Sequence, residues 1–150
     1  SLNEIKKLKE IDYCVTSPPY HNILKNHGAG VRHDKSQFRQ GVQFYSDRSE
    51  DLGNQETLAE YRELFKEILR ETYLKLKPKS YLSIVVSDFT VDRIEQDIVG
   101  QLISDIEEIG YIYKKLFILT QNFKAIFPFG YPYDYVINHV NQYIVNFYKK

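Results

Sequence analysis

Ile11-Asp12-Tyr13-Cys14-Val15-Thr16-Ser17-Pro18-Pro19-Tyr20 is the stretch on which the reading of this chain turns. Five of its first six residues are apolar, aromatic or β-branched, the composition of a strand over residues 11 to 16. Pro18 and Pro19 then stop it. Proline has no N–H to give to a ladder and pushes the residue before it into extended geometry. In an open α/β sheet, ligands sit beyond the carboxyl ends of the strands, so a strand ending in a polar turn marks a candidate site.

The pattern around this stretch alternates. Leu2, Ile5 and Leu8 fall at helical spacing in a short basic segment. Residues 21 to 55 carry no periodicity and read as a long loop, a kind of segment that is usually functional or disordered. Leu58, Tyr61, Phe65, Ile68, Thr72 and Leu76 trace the apolar face of a helix over 56 to 77, ended by Lys77-Pro78. Tyr81 to Val86 reads as a buried strand that closes in Ser87-Asp88-Phe89. Ile94, Ile98, Leu102, Ile106 and Ile109 mark a second helix, with Gly110 placed as its C-terminal cap. Residues 111 to 120 and 141 to 148 read as strands, and 123 to 138 as a loop rich in Phe, Tyr, Pro and Gly. Strands alternating with crossover helices predict an α/β domain with a largely parallel sheet. No helix separates the last two strands, which predicts that they are antiparallel.

Composition narrows the class. One hundred and fifty residues fit one domain, and 43% hydrophobic content can supply its core. Twenty basic and twenty acidic residues cancel, which speaks against simple electrostatic coating of a nucleic acid. A lone cysteine, Cys14, excludes an intrachain disulfide and reads as an inert thiol inside the strand. No apolar run is long enough for a membrane span, and no signal-peptide core opens the chain. The chain contains no Met and begins at Ser1, which suggests a trimmed or excised piece of something longer.

The chemistry suggested by Ser17-Pro18-Pro19-Tyr20 is modification of an exocyclic amine. Such an amine on cytosine or adenine is conjugated into its ring, so its lone pair is a poor nucleophile. Two acceptors aimed at its protons favour a tetrahedral nitrogen whose lone pair is free to attack. Ser17 Oγ can be one acceptor and the Pro18 carbonyl the other, while Tyr20 offers a ring for stacking. In duplex DNA the amine is paired, so the base must first be flipped out. Pro-Pro-Tyr by itself also suits a ligand of WW domains.

The strand and its Ser-Pro-Pro-Tyr turn resemble the catalytic motif of the bacterial N4-cytosine and N6-adenine DNA methyltransferases. Tyr61-Arg62-Glu63-Leu64-Phe65, Leu76-Lys77-Pro78, Tyr81 to Asp88 and Asn141 to Lys150 are similar to successive segments of that family, so the resemblance runs from about residue 10 to 150. It implies a Rossmann-like AdoMet-dependent methyltransferase fold, present as the catalytic half of a permuted branch, with a mostly parallel sheet and an antiparallel closing strand. It implies Ser17, Pro18, Pro19 and Tyr20 as catalytic residues, S-adenosyl-L-methionine as cofactor, double-stranded DNA as substrate, and a prokaryotic or phage cytoplasm as setting. Ser at the first motif position resembles the N4-cytosine branch and Asp the N6-adenine branch, so cytosine N4 is the favoured target. An N6-adenine enzyme is the alternative. A non-catalytic DNA-binding or assembly subunit with the same fold is the alternative of another class.

Other residues are candidates at the margins. Asp88 and His21 are expected at the edge of the substrate pocket, with helix capping the competing role for Asp88. Arg32, Lys35 and Arg39 are candidates for DNA contact. His21, His27 and His33 have no Cys or carboxylate in register, so no metal is expected. The family's glycine-rich AdoMet turn is missing. Gly28-Ala29-Gly30 follows no strand, and the cofactor is expected to be bound mainly by a segment outside this chain. The absent strands would leave a sheet edge exposed, which predicts a second chain or self-association.

Overall fold

A computed structural model of the protein describes residues 2–21, 46–91, 94–121, 128–129, 136–137 and 139–150. Helix α1 (Leu2–Lys7) leads into strand β1 (Ile11–Thr16), and a 3₁₀ turn over Leu52–Asn54 precedes helix α2 (Leu58–Lys75). Strand β2 (Leu76–Val86) follows directly, then a hairpin of β3 (Phe89–Val91) and β4 (Ile94–Gln96), and helix α3 (Ile98–Ile109). Strand β5 (Ile112–Thr120), the short pair β6 (Pro128–Phe129) and β7 (Val136–Ile137), and strand β8 (Asn141–Tyr148) complete the chain.

The main sheet has the order β1-β2-β8-β5. β1 and β2 are parallel, while β8 is antiparallel to both β2 and β5. Three of the four strands therefore run the same way. The expected antiparallel closing strand is present, and it lies between β2 and β5 rather than at an edge. The arrangement follows from the crossovers. α2 returns the chain to start β2 alongside β1, α3 does the same for β5, and β8 comes back through the gap without a helix.

Residues paired across neighbouring strands share a face. Leu82, Ile84, Val86, Val145 and Phe147 lie on one face and are buried with Tyr61, Phe65 and Leu69 of α2 and Leu102 and Ile106 of α3. Tyr13, Val15, Tyr81, Ile112 and Phe117 lie on the other face and are exposed. One face of the sheet is thus covered by helices and the other is an open, largely aromatic surface. The edge strand β5 is exposed along most of its length, although six of its nine residues are apolar or aromatic.

The helices are held by side chains that meet their free ends. Thr57 and Glu60 form a reciprocal capping box at the start of α2, with Glu60 N–H donating to Thr57 Oγ1 at 3.1 Å and Thr57 N–H donating to Glu60 Oε2 at 2.9 Å. These bonds from Thr57 hold the Glu60 carboxyl below its usual range. Lys149 donates to the carbonyls of Tyr73 and Leu76 at the other end, the sign of charge that the helix dipole favours there. Arg62 grips Asp105 through two bonds of 3.0 and 2.9 Å, and Lys66 reaches Glu108 at 2.8 Å, which ties α2 to α3.

Two boundaries differ from the sequence expectation. α2 ends at Lys75 and β2 begins at once, running through Pro78. Pro78 and Lys79, which has a left-handed φ of 63°, form an irregular start to the strand, where the register against β1 shifts. Ile94 belongs to the β3–β4 hairpin, and α3 starts only after Asp97, whose carboxylate accepts from Gly100 N–H at 2.9 Å. Gly110 closes α3 in the left-handed region (φ 114°), as expected. Among the described residues no helix is long and apolar enough to cross a membrane.

Candidate active site

β1 delivers the Ser17–Tyr20 turn to the C-terminal edge of the sheet. Ser17 is exposed, Pro18 is buried, and Pro19 and Tyr20 are half-buried. With no N–H on either proline, the turn is tied down through its oxygens. The Tyr61 hydroxyl, on the first turns of α2, donates to the Pro19 carbonyl at 2.9 Å. The Tyr20 hydroxyl accepts from Gln142 Nε2 of β8 at 3.1 Å. The Tyr20 ring also leans on Phe89, with centroids 5.7 Å apart at 48°. His21 is buried, its ring edge-on to Tyr61 at 5.8 Å. The turn is therefore strung across the top of the sheet, from the α2 side to β8.

This turn forms one wall of an open cavity of about 980 Å³. Asn3 and Ile5 of α1 line it, as do Leu64, Phe65 and Ile68 of α2. Arg48, Glu50 and Asp51 complete the rim. That volume lies at the upper end of the range for small-molecule sites, roughly 300 to 1,000 Å³, so it exceeds what one base requires. A small gap of about 20 Å³ behind Pro18, between α2 and α3, is large enough for no more than a water.

The segment carrying Arg48 and Glu50, which the sequence marks only as part of a long loop, is held by its own polar side chains. Asp51 accepts from Gly53 N–H at 3.0 Å and from Ser46 Oγ at 2.8 Å. Asn54 Nδ2 donates to the Ser46 and Arg48 carbonyls, and Gln55 Nε2 to those of Ser49 and Asp51. The signal for this cap is present in Asp51-x-Gly53 with its flanking amides. Nothing local in the sequence points to Tyr61 and Gln142, because a hydroxyl on a helix face and an amide in a strand announce nothing about a turn far away in the chain.

The remaining candidates divide. Asp88 does not line the cavity. Its carboxylate accepts from Val99 N–H at 2.9 Å, which makes it a second acidic cap on α3. Arg32, Lys35, Arg39, His27 and His33 lie outside the described residues, as does most of the aromatic loop around Phe127 to Tyr133. Cys14 packs half-buried against the core, and burial pushes its thiol up, the opposite of what an activated nucleophile needs. Of the described glycines, Gly53 lies in the 3₁₀ turn, Gly100 in the first turn of α3 and Gly110 at its end. None of these makes a strand-to-helix turn of the kind that cradles a nucleotide cofactor.

The Ser-Pro-Pro-Tyr turn thus lies at the C-terminal edge of a helix-covered mixed sheet, beside an open cavity. A sequence model of the N6/N4 DNA methylase family matches residues 11–150, and the chain belongs to that family. In fold it is similar to a protein of Thermus thermophilus assigned as a DNA modification methylase. The TM-score is 0.64 at 18% identity, over 99% of this chain and 50% of that one. The same protein in complex with S-adenosyl-L-methionine gives a TM-score of 0.64 at 16% identity, over 99% of this chain and 52% of that one. This chain thus spans about half the length of the structures it resembles. No curated protein sequence matches it.

Tyr61→Phe keeps the ring and removes only the hydroxyl, leaving the Pro19 carbonyl without that donor. The expected cost is about 1 kcal/mol of stability, seen as a lower urea midpoint. An unchanged midpoint would mean that the bond does not hold the turn.

Proposed function

We propose that this chain supplies the amine-binding half of an AdoMet-dependent DNA methyltransferase, acting on the N4 amine of a cytosine flipped from duplex DNA. The observation that carries this reading is the exposure of Ser17 on the cavity wall, beside Pro18, while the next two residues are tied by Tyr61 and Gln142. The two acceptors that an exocyclic amine requires, Ser17 Oγ and the Pro18 carbonyl, then sit on a turn whose position is set from outside it.

The bound cofactor supplies an electrophilic methyl group. The described residues do not complete a site for that cofactor, and their roles concern the amine alone. Ser17 and Pro18 would each accept one amine N–H, which withdraws the nitrogen lone pair from the ring and frees it to form the new N–C bond as the methyl group's bond to the donor sulfur breaks. The methylated nitrogen would then lose one of those protons to solvent water through the open cavity. Tyr20 stacks on the base and limits its rotation. Because binding and orientation carry the rate, no covalent enzyme intermediate is needed. Ser17 favours cytosine over adenine only through the family resemblance, since either amine offers the same two protons.

Ser17→Ala removes one acceptor and leaves the turn's anchors in place. In the complete enzyme, methyl transfer from labelled AdoMet to duplex DNA should fall in kcat by about 100-fold, the scale of losing one transition-state hydrogen bond. Unchanged transfer would remove Ser17 from the reaction.

The partner of this half is a second chain or segment, or another copy, engaging the outer edge of β1. β1 is an edge strand of the main sheet, and Tyr13 and Val15 beside that edge are 54% and 60% exposed. Sedimentation velocity of this chain alone should show association that grows with concentration. A strictly monomeric species over a wide range would contradict self-association and leave only a second chain or segment as the partner.

A further inference from the structure

We infer that Gln142 is a positioning residue for Tyr20, and that Gln121 sets the direction in which Gln142 bonds. The inference rests on the reading of Tyr20 as the residue that stacks on the target base. Gln142 lies 122 residues from Tyr20, at the start of β8, and its Nε2 donates to the Tyr20 hydroxyl at 3.1 Å. Its Oε1 accepts from Gln121 Nε2 at 3.2 Å. Gln121 is itself anchored, because its backbone N–H donates to the Val140 carbonyl at 3.1 Å where β5 and β8 meet.

The two ends of an amide differ, and this gives the chain of bonds a direction. With Oε1 committed to Gln121, Gln142 presents its N–H to Tyr20, and the phenolic oxygen is the acceptor. The ring is then held at two places, by Phe89 against its side and by Gln142 at its tip. Both contacts come from β-strands and the second is braced by a third side chain, so the ring plane is set before a base arrives. A ring free to swing about its side-chain torsions would have to be ordered each time a base is captured, which weakens binding without altering the reacting atoms. Tyr61 fixes the backbone of the same turn through the Pro19 carbonyl, so backbone and ring are held by separate donors.

The test is a double-mutant cycle in the complete enzyme, reading methyl transfer to duplex DNA at saturating AdoMet. Gln142→Leu removes the donor and Tyr20→Phe removes the acceptor by a single atom, so the second change serves even where the first disturbs folding. Each should raise the half-saturating DNA concentration about fivefold, Gln142→Leu should keep kcat within about twofold, and the double variant should be no worse than either single one. A purely structural Gln142 would give effects that add, or a loss confined to thermal stability; either result overturns the inference. Tyr20→Ala separates the stacking role from the positioning role. If it abolishes transfer while Gln142→Leu and Tyr20→Phe leave DNA saturation unchanged, the positioning role fails and the base-stacking role stands. If Tyr20→Ala itself changes nothing, the stacking role fails and takes the positioning role with it.

Discussion

Two successive residues without an N–H determine most of what this chain does at its C-terminal sheet edge. Pro18 and Pro19 cannot extend β1, so the backbone must leave the ladder there, and no hydrogen bond from their own nitrogens can hold the turn. What holds it comes from elsewhere: a phenol on α2 for the Pro19 carbonyl and an amide on β8 for the Tyr20 hydroxyl. The order of the sheet makes this possible. β8 runs back between β2 and β5, and its first residues therefore lie at the same edge as the end of β1. A turn poor in bonds of its own is positioned by two elements far apart in sequence, while Ser17 is left exposed to a cavity.

The same topology explains the lopsided burial. Both helical crossovers, α2 and α3, pack on one face, where Leu82, Ile84, Val145 and Phe147 are wholly buried. The opposite face keeps Tyr13, Val15, Tyr81 and Phe117 exposed. An isolated two-layer domain would ordinarily carry polar residues there. The solved structures that share this fold are about twice as long. Among the described residues, no strand pairs with the outer edge of β1 and no helix covers the open face.

The fold is legible in the sequence where period and punctuation agree. β1 and β8 begin and end where their sequence says, and α2 follows its apolar spacing of three and four residues. Legibility fails where local signals compete. Pro78 has the look of a helix stop, yet the chain has already left the helix at Leu76, and an irregularity at Lys79 lets the strand run through the proline. Ile94 has the right spacing for α3, but Asp97 outranks it as a cap, and the short β3–β4 hairpin uses Ile94 instead. Of the site, the motif is legible and its supports are not. Tyr61 and Gln142 act through distances that no local pattern encodes, and Asp88 carries the same side chain whether it edges a pocket or caps a helix.

The central claim is that Ser17 and Pro18 present a base through its exocyclic amine. Nucleoside mass spectrometry of DNA methylated by the complete enzyme addresses it directly, since the position of the new methyl reports which atom was held. The expected product is N4-methylcytosine. N6-methyladenine would keep the amine mechanism and change only the base. A methyl group on a ring carbon such as cytosine C5 would contradict the account, because two acceptors on an amine have no part in that reaction.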